Sequence, residues 1–348
     1  MIKKIKIFIK APPNLPKGEE LKAKHYYQTN IFRIGTSKDP LLNVCSKCLV
    51  IFIFICSLSI NLLAQVSELD SLLQNELDNN TTYTIATFKS TRIINGHSVE
   101  RMQKKDLDFR ISHRFGNINS GAYEFFGLDH SSSNLNLEYG LFNWIMIGVG
   151  RATYQKTFTG FTKISFLRQS KGKIKMPVSV SYLCSNYLNS MKWTDETITN
   201  YFSSRLSYLH QLLIARKVSS KLSVQLSPTF LHRNLVELEE HNNDIKSLGI
   251  GGRFKITTRT SINIEYFYLF DKENISSLEN TNPLSIGFDI ETGSHVFQLH
   301  LTNYQTITEN AFMGETTSSW KKGDIYFGFN ITRVFSLGKK NDEYEDIE

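Results

Sequence analysis

Apolar and polar residues alternate singly along most of the chain beyond residue 106. In the last such run Ile325, Phe327, Phe329, Ile331 and Phe335 alternate with Asp324, Tyr326, Gly328, Asn330 and Thr332. Successive side chains of a strand point to opposite faces, so this pattern predicts a strand with one apolar and one polar face. Twelve runs share it: 107–114, 134–139, 145–150, 163–166, 178–182, 205–214, 221–230, 248–256, 261–268, 284–291, 297–302 and 324–335. The connections between them alternate long and short without a break. That is the habit of a membrane barrel, with short turns on the periplasmic side and long loops outside. An even strand number brings both ends of the barrel domain to the periplasmic side. The predicted fold is therefore all-β: a single closed antiparallel up-and-down barrel of about 12 strands.

Two placements of the faces compete. With the apolar faces inward the chain would be a soluble barrel or sandwich. With them outward, strands of about ten residues tilted by about 40° match the ~25 Å apolar band of an outer membrane. Aromatic residues near strand ends, among them Trp144, Phe158, Tyr201, Phe202 and Phe335, fit interfacial girdles. The outward placement is preferred. It puts Asp108, Arg110, Arg114, Glu138, Arg205, Lys221, Arg253, Lys255, Glu265 and Asp289 in the lumen, with Asp108/Arg110 and Glu265/Arg253 as candidate pairs. Parity turns His113, Arg151, His210 and Arg333 to lipid. The two arginines lie near strand ends and can snorkel; the histidines call for a local bulge.

Before the barrel, the run 49–64 is apolar, follows Lys47 and closes on Ala64, as a secretory signal peptide does. A membrane helix is the alternative, although about 16 residues is short of the ~20 needed. The expected organisation is a leader over 1–64, in which 1–40 reads as an over-extended gene start, a periplasmic helix and plug-like segment over 65–105, the barrel over 106–337, and a charged tail over 338–348. Residues 67–79 space Leu69, Leu72, Leu73 and Leu77 at helical intervals. The stretch 83–94 is β-prone but alternates poorly. As a thirteenth wall strand it would break the parity, so it is placed inside the lumen or below the barrel.

Charge changes the picture little. The chain carries +7, but residues 1–64 hold 10 Lys/Arg and 3 Asp/Glu, and the remainder holds 30 of each. The basic excess belongs to the leader, which argues against nucleic-acid binding. Cys45, Cys48 and Cys56 also lie there, leaving Cys184 alone beyond it. Half a zinc knuckle followed by an apolar run is no zinc site.

No catalytic motif meets its structural context, so no enzyme, cofactor or metal is expected. Gly148-Val149-Gly150-Arg151 lies within a strand and reads as close packing rather than a phosphate loop. His295 and His300, five apart, point to opposite faces. Glu138, Glu265, Asp289 and Glu291 read as partners for lumen cations more than as paired catalytic acids. Ser112, His300 and Asp289 can be named as a hydrolase set but belong to no motif.

Tyr123–Asp129, Leu137–Gly140, Gly148–Arg151, Glu291–Asn303, Gly314–Thr317 and Gly323–Phe335 together resemble the β-barrel family known as domain of unknown function 5777. The likeness runs from Tyr83 to Leu337. It implies a β-barrel of the cell envelope and brings no activity, cofactor or catalytic residue. The charged tail after Phe335 and the long leader depart from the usual pattern. The expected role is an outer-membrane barrel for small-solute passage or envelope structure, in contact with outer-membrane lipid. The alternative is a plugged or soluble barrel that binds a lipid-like ligand or a protein partner.

Overall fold

The computed structural model describes residues 80–338, apart from 194–196, 198 and 294. All of these belong to one compact unit, 58–348. The leader, the helix expected over 67–79 and the tail beyond 338 lie outside the described residues.

Twelve antiparallel strands form a closed barrel. They are β1 (Asp106–Asn117), β2 (Ser131–Phe142), β3 (Ile145–Ala152), β4 (Phe158–Leu167), β5 (Ser179–Leu188), β6 (Leu206–Lys217), β7 (Leu222–Arg233), β8 (Asp244–Lys255), β9 (Thr260–Leu269), β10 (Leu284–Thr292), β11 (His295–Thr302) and β12 (Tyr326–Ser336). Each pairs with the next in sequence. β12 closes on β1 with Ile331 opposite Ile111 and Phe335 opposite Leu107, so no edge strand is left unpaired. One helix, α1 (Glu309–Glu315), lies in the long connection between β11 and β12.

Burial alternates along every wall strand, and its sense decides between the two placements of the faces. On β1, Asp108, Arg110, Ser112 and Arg114 are buried while Leu107, Phe109 and Ile111 are half-exposed. Leu135, Leu137, Val149, Ile262, Ile264 and Leu299 lie exposed on the outer surface. A soluble fold would present this continuous apolar band to water; a membrane barrel presents it to lipid. Val149 sits in the middle of β3 and is 60% exposed. Val149→Arg is expected to cost about 2–4 kcal/mol of stability in a bilayer, read by urea titration of protein folded into vesicles.

His113 and His210 keep their outward positions, and no bulge turns either inward. His113 Nδ1 lies 2.9 Å from Ser133 Oγ, between the rings of Phe115 and Phe329. His210 Nδ1 lies 2.6 Å from Tyr182 Oη. Neighbours on the same outer face thus pair one ring nitrogen of each histidine that lipid would leave unpaired. Arg151 and Arg333 lie over the rings of Phe158 and Phe335 near the strand ends.

Candidate functional site

The site is the lumen, and it is filled. The chain enters at the short-turn end, where Thr82–Tyr83 pairs with Ser170–Lys171. It then runs inward, reverses, and returns to the same mouth before β1. The reversal is a small hairpin. Arg92 bridges His97, the Ile93 N–H donates to the Gly96 carbonyl (2.9 Å), and the Ser98 N–H donates to the Thr91 carbonyl (2.9 Å). Phe88, Ile93, Ile94 and Val99 are buried against inward-facing Met146, Phe161, Leu183, Leu213 and Phe267 of the wall. The inserted segment therefore runs past 94, to about residue 102.

A buried irregular segment needs partners for its backbone, because an unpaired N–H or C=O in a dry interior costs about as much as a lost hydrogen bond. Wall side chains supply those partners. Lys163 on β4 donates from Nζ to the carbonyls of Thr91 (3.0 Å), Ser98 (2.9 Å) and Glu100 (2.9 Å). Glu265 on β9 accepts from the N–H groups of Ile94 (3.2 Å), Asn95 (3.2 Å) and Gly96 (2.9 Å). Gln225 accepts from the Val99 N–H (2.7 Å) and donates to the His97 carbonyl (2.7 Å). Gln298 and Asn330 donate to the carbonyls of Ile93 (2.8 Å) and Ile94 (3.0 Å). The polar face of the wall reads the plug's main chain, one cation against carbonyls and one carboxylate against amides.

Shape follows the same division. A Cβ on Gly251 would stand 2.2 Å from Ile93 Cδ1, and one on Gly148 would stand 2.3 Å from the Phe161 ring. Both wall glycines face inward, where a plug side chain or a lumen ring takes the space.

The opposite end is closed by the connection 303–325. Helix α1 points Phe312 and Met313 into the barrel, where Phe312 meets the rings of Phe267 (5.2 Å) and Tyr304 (5.0 Å). Plug and α1 meet at Glu309. Arg92 Nη1 lies 2.6 Å from Glu309 Oε1, Tyr187 Oη donates to Oε2 (2.9 Å), and Arg92 Nε lies 3.6 Å from Glu138. Asn95 donates to Tyr304 Oη (2.8 Å), and Arg114 donates to the carbonyls of Tyr304 (3.2 Å) and Thr306 (2.9 Å).

Of the ten lumen charges read from parity, Asp108, Arg110, Arg114, Glu138, Arg253, Glu265 and Asp289 are buried inside the barrel. Lys255 is half-buried at the last position of β8. Arg205 and Lys221 do not line the lumen. Arg205 precedes β6 in a single 3-10 turn and donates to the carbonyls of Asn189 and Met191 beside Trp193. Lys221 is exposed in the turn before β7. Parity was carried past the strand ends there, and it has no meaning in a turn. The Glu265/Arg253 pair does not form either: Arg253 bonds Glu291 (2.5 Å), which also meets Lys89 (3.0 Å), while Glu265 serves the plug. His300 faces Arg114 (3.0 Å), and Asp289 accepts from Gln298 (2.6 Å).

Sequence reasoning passed over Lys163, although parity had placed it on the polar face of its short run. It also passed over Arg92 and Glu309, which lie outside any alternating pattern.

Among the described residues no helix is long and apolar enough to cross a membrane, which says nothing of strands. The family described as "Membrane bound beta barrel domain (DUF5777)" matches residues 88–335, and the chain belongs to it. The matched span includes most of the plug as well as the wall. No curated protein matches the sequence. Among solved structures the chain is similar to the NanC porin (TM-score 0.42, 8% identity, covering 66% of this chain and 98% of that one). It is also similar to the KdgM porin (0.39, 11%, 66% and 99%) and to outer membrane phospholipase A from Escherichia coli (0.37, 8%, 70% and 97%). At such identities and scores no residue role passes to this chain.

Proposed function

We propose that this protein is an outer-membrane barrel held closed by its own N-terminal segment, and that a small solute passes only when that segment is displaced. One observation carries the reading. Lumen charges that an open channel would keep in water are almost wholly shielded, with Asp108, Arg114 and Glu138 at 0% exposure, and Arg110, Arg114, Lys163 and Glu265 of the wall bond to the plug instead. The outer-membrane location is supported by the apolar outer band, the alternation of long and short connections, and the arrival of both barrel ends at the short-turn rim. In this reading the direct partner of the outer face is membrane lipid, and the role is conditional passage without catalysis.

The test is conductance. Purified full-length protein in planar bilayers is expected to be silent. A variant in which 84–102 is replaced by a Gly/Ser linker is expected to give discrete conductance steps. Boiled and unboiled gel samples establish that both are folded barrels. Steady conductance of the unaltered protein, or a silent folded deletion, sinks the proposal.

A further inference from the structure

A polar cavity of ≈ 460 Å³ opens at the short-turn mouth, between the plug and the wall. Its volume is within the range that holds a small ligand. Three cations and one carboxylate line it: Lys89, Arg101, Arg168 and Glu100. Two of these are already engaged. Lys89 meets Glu291 at 3.0 Å, and Glu100 Oε1 accepts from the N–H groups of Thr87 (2.7 Å) and Phe88 (3.3 Å).

The two arginines are differently placed. Among the described residues Arg101 bonds through its Nε alone, to the carbonyl of Asn143, and Arg168 lies over the ring of Tyr83 at 4.7 Å. Among the described residues neither has a carboxylate within ion-pair distance. Burial, and then the Arg168 cation, press the Arg101 guanidinium below its ordinary pKa, and the nearby Glu100 carboxylate offsets this only in part. Like charges held together at a polar cavity are costly unless an anion joins them, and the planar guanidinium is the side chain best suited to carboxylate or phosphate oxygens.

We propose that this cavity binds a small anion bearing carboxylate or phosphate groups, seated between Arg101 and Arg168. Plug residues form one side of the site, so the proposal rests on the plugged arrangement. The ligand's oxygens take the guanidinium N–H groups that the protein leaves free, and they relieve the repulsion between the two cations. An anion bound there ties the root of the plug (Arg101) to the turn after β4 (Arg168) at the mouth through which the plug would leave.

The test is titration calorimetry of the full-length barrel with citrate and with inorganic phosphate. Saturable binding of at least one probe is expected. It should weaken roughly ten-fold or more in R101Q/R168Q, as the loss of charge-assisted hydrogen bonds requires. It should not change in K173Q/K175Q, because these lysines are exposed on the same rim outside the cavity. Repeating the titration in nanodiscs of neutral and of phosphatidylglycerol-rich lipid separates the sources of the anion. Binding lost only in the anionic lipid assigns the site to a headgroup phosphate; binding kept in both assigns it to a free anion. No saturable binding in neutral nanodiscs, or equal binding in all three proteins, overturns the proposal. A silent bilayer alongside absent binding would overturn the anion site and leave the closed plug standing.

Discussion

Glu265→Ala is expected to weaken the hold on the plug by about 3–5 kcal/mol, the size of a buried charged partner lost. The carboxylate caps three consecutive N–H groups at the tip of the hairpin, Ile94, Asn95 and Gly96, and also meets Tyr304 Oη at 3.3 Å. The tip is shielded from bulk solvent, with Ile94 and Asn95 1% and 2% exposed. Each stranded donor costs about 1–3 kcal/mol. The wall itself should survive, because the strand pairing of β9 with β8 and β10 does not pass through this side chain. The readout is the open fraction in single-channel records. A shift of 3–5 kcal/mol multiplies the open-to-closed ratio by roughly 10² to 10³ or more, which turns a silent barrel into a flickering one. Glu265→Gln keeps an acceptor at the same place and should fall between the two. If Glu265→Ala is as silent as the unaltered protein while still shifting on boiled gels, the plug tip is not what closes the lumen.

The second large effect is expected where plug and outer helix meet. Arg92→Met removes the cation that joins Glu309 (2.6 Å) and faces Glu138 (3.6 Å), leaving two buried carboxylates short of a partner. The cost should be about 3–5 kcal/mol, seen as a lower urea midpoint in vesicles. Glu309→Gln alone should also destabilise, because Tyr187 and Arg92 both donate to that carboxylate. The double variant should cost less than the sum of the two, by up to about 3 kcal/mol, since position 309 then carries no stranded charge, while Glu138 still lacks Arg92. Strict additivity would show that the plug and α1 are held independently. Coupling would show that closure from the two ends of the barrel is one event.

Much of the wall was readable in advance. Leu107, Phe109 and Ile111 against Asp108, Arg110 and Ser112 announce both the strand and its two faces, and a slip of one residue would reverse all six. The weak run at 163–166 was harder, because the inward position of β4 at Phe161 is occupied by a ring and the outward position at Gly160 by a glycine, so the alternation breaks there. Positions in turns, such as Arg205 and Lys221, were misplaced because periodicity ends with the strand. The charge network was legible only as a list of inward charges. The partner of Arg253 proved to be Glu291 and not Glu265, since the plug backbone, which carries no side-chain signature, claims Glu265.

The sequence by itself determined strand number, the two faces of each strand, and the rim at which both barrel ends emerge, because each follows from a period of two and from loop lengths counted along the chain; which face turns outward was decided by burial in the closed barrel. Only the tertiary structure decided what fills the barrel. A lysine or glutamate facing inward is satisfied equally by water and by a peptide group, so local alternation cannot distinguish a channel from a plugged core. The amide that Glu265 holds belongs to Ile94, 171 residues away along the chain, and that meeting is created by closure of the barrel around its own N-terminal segment.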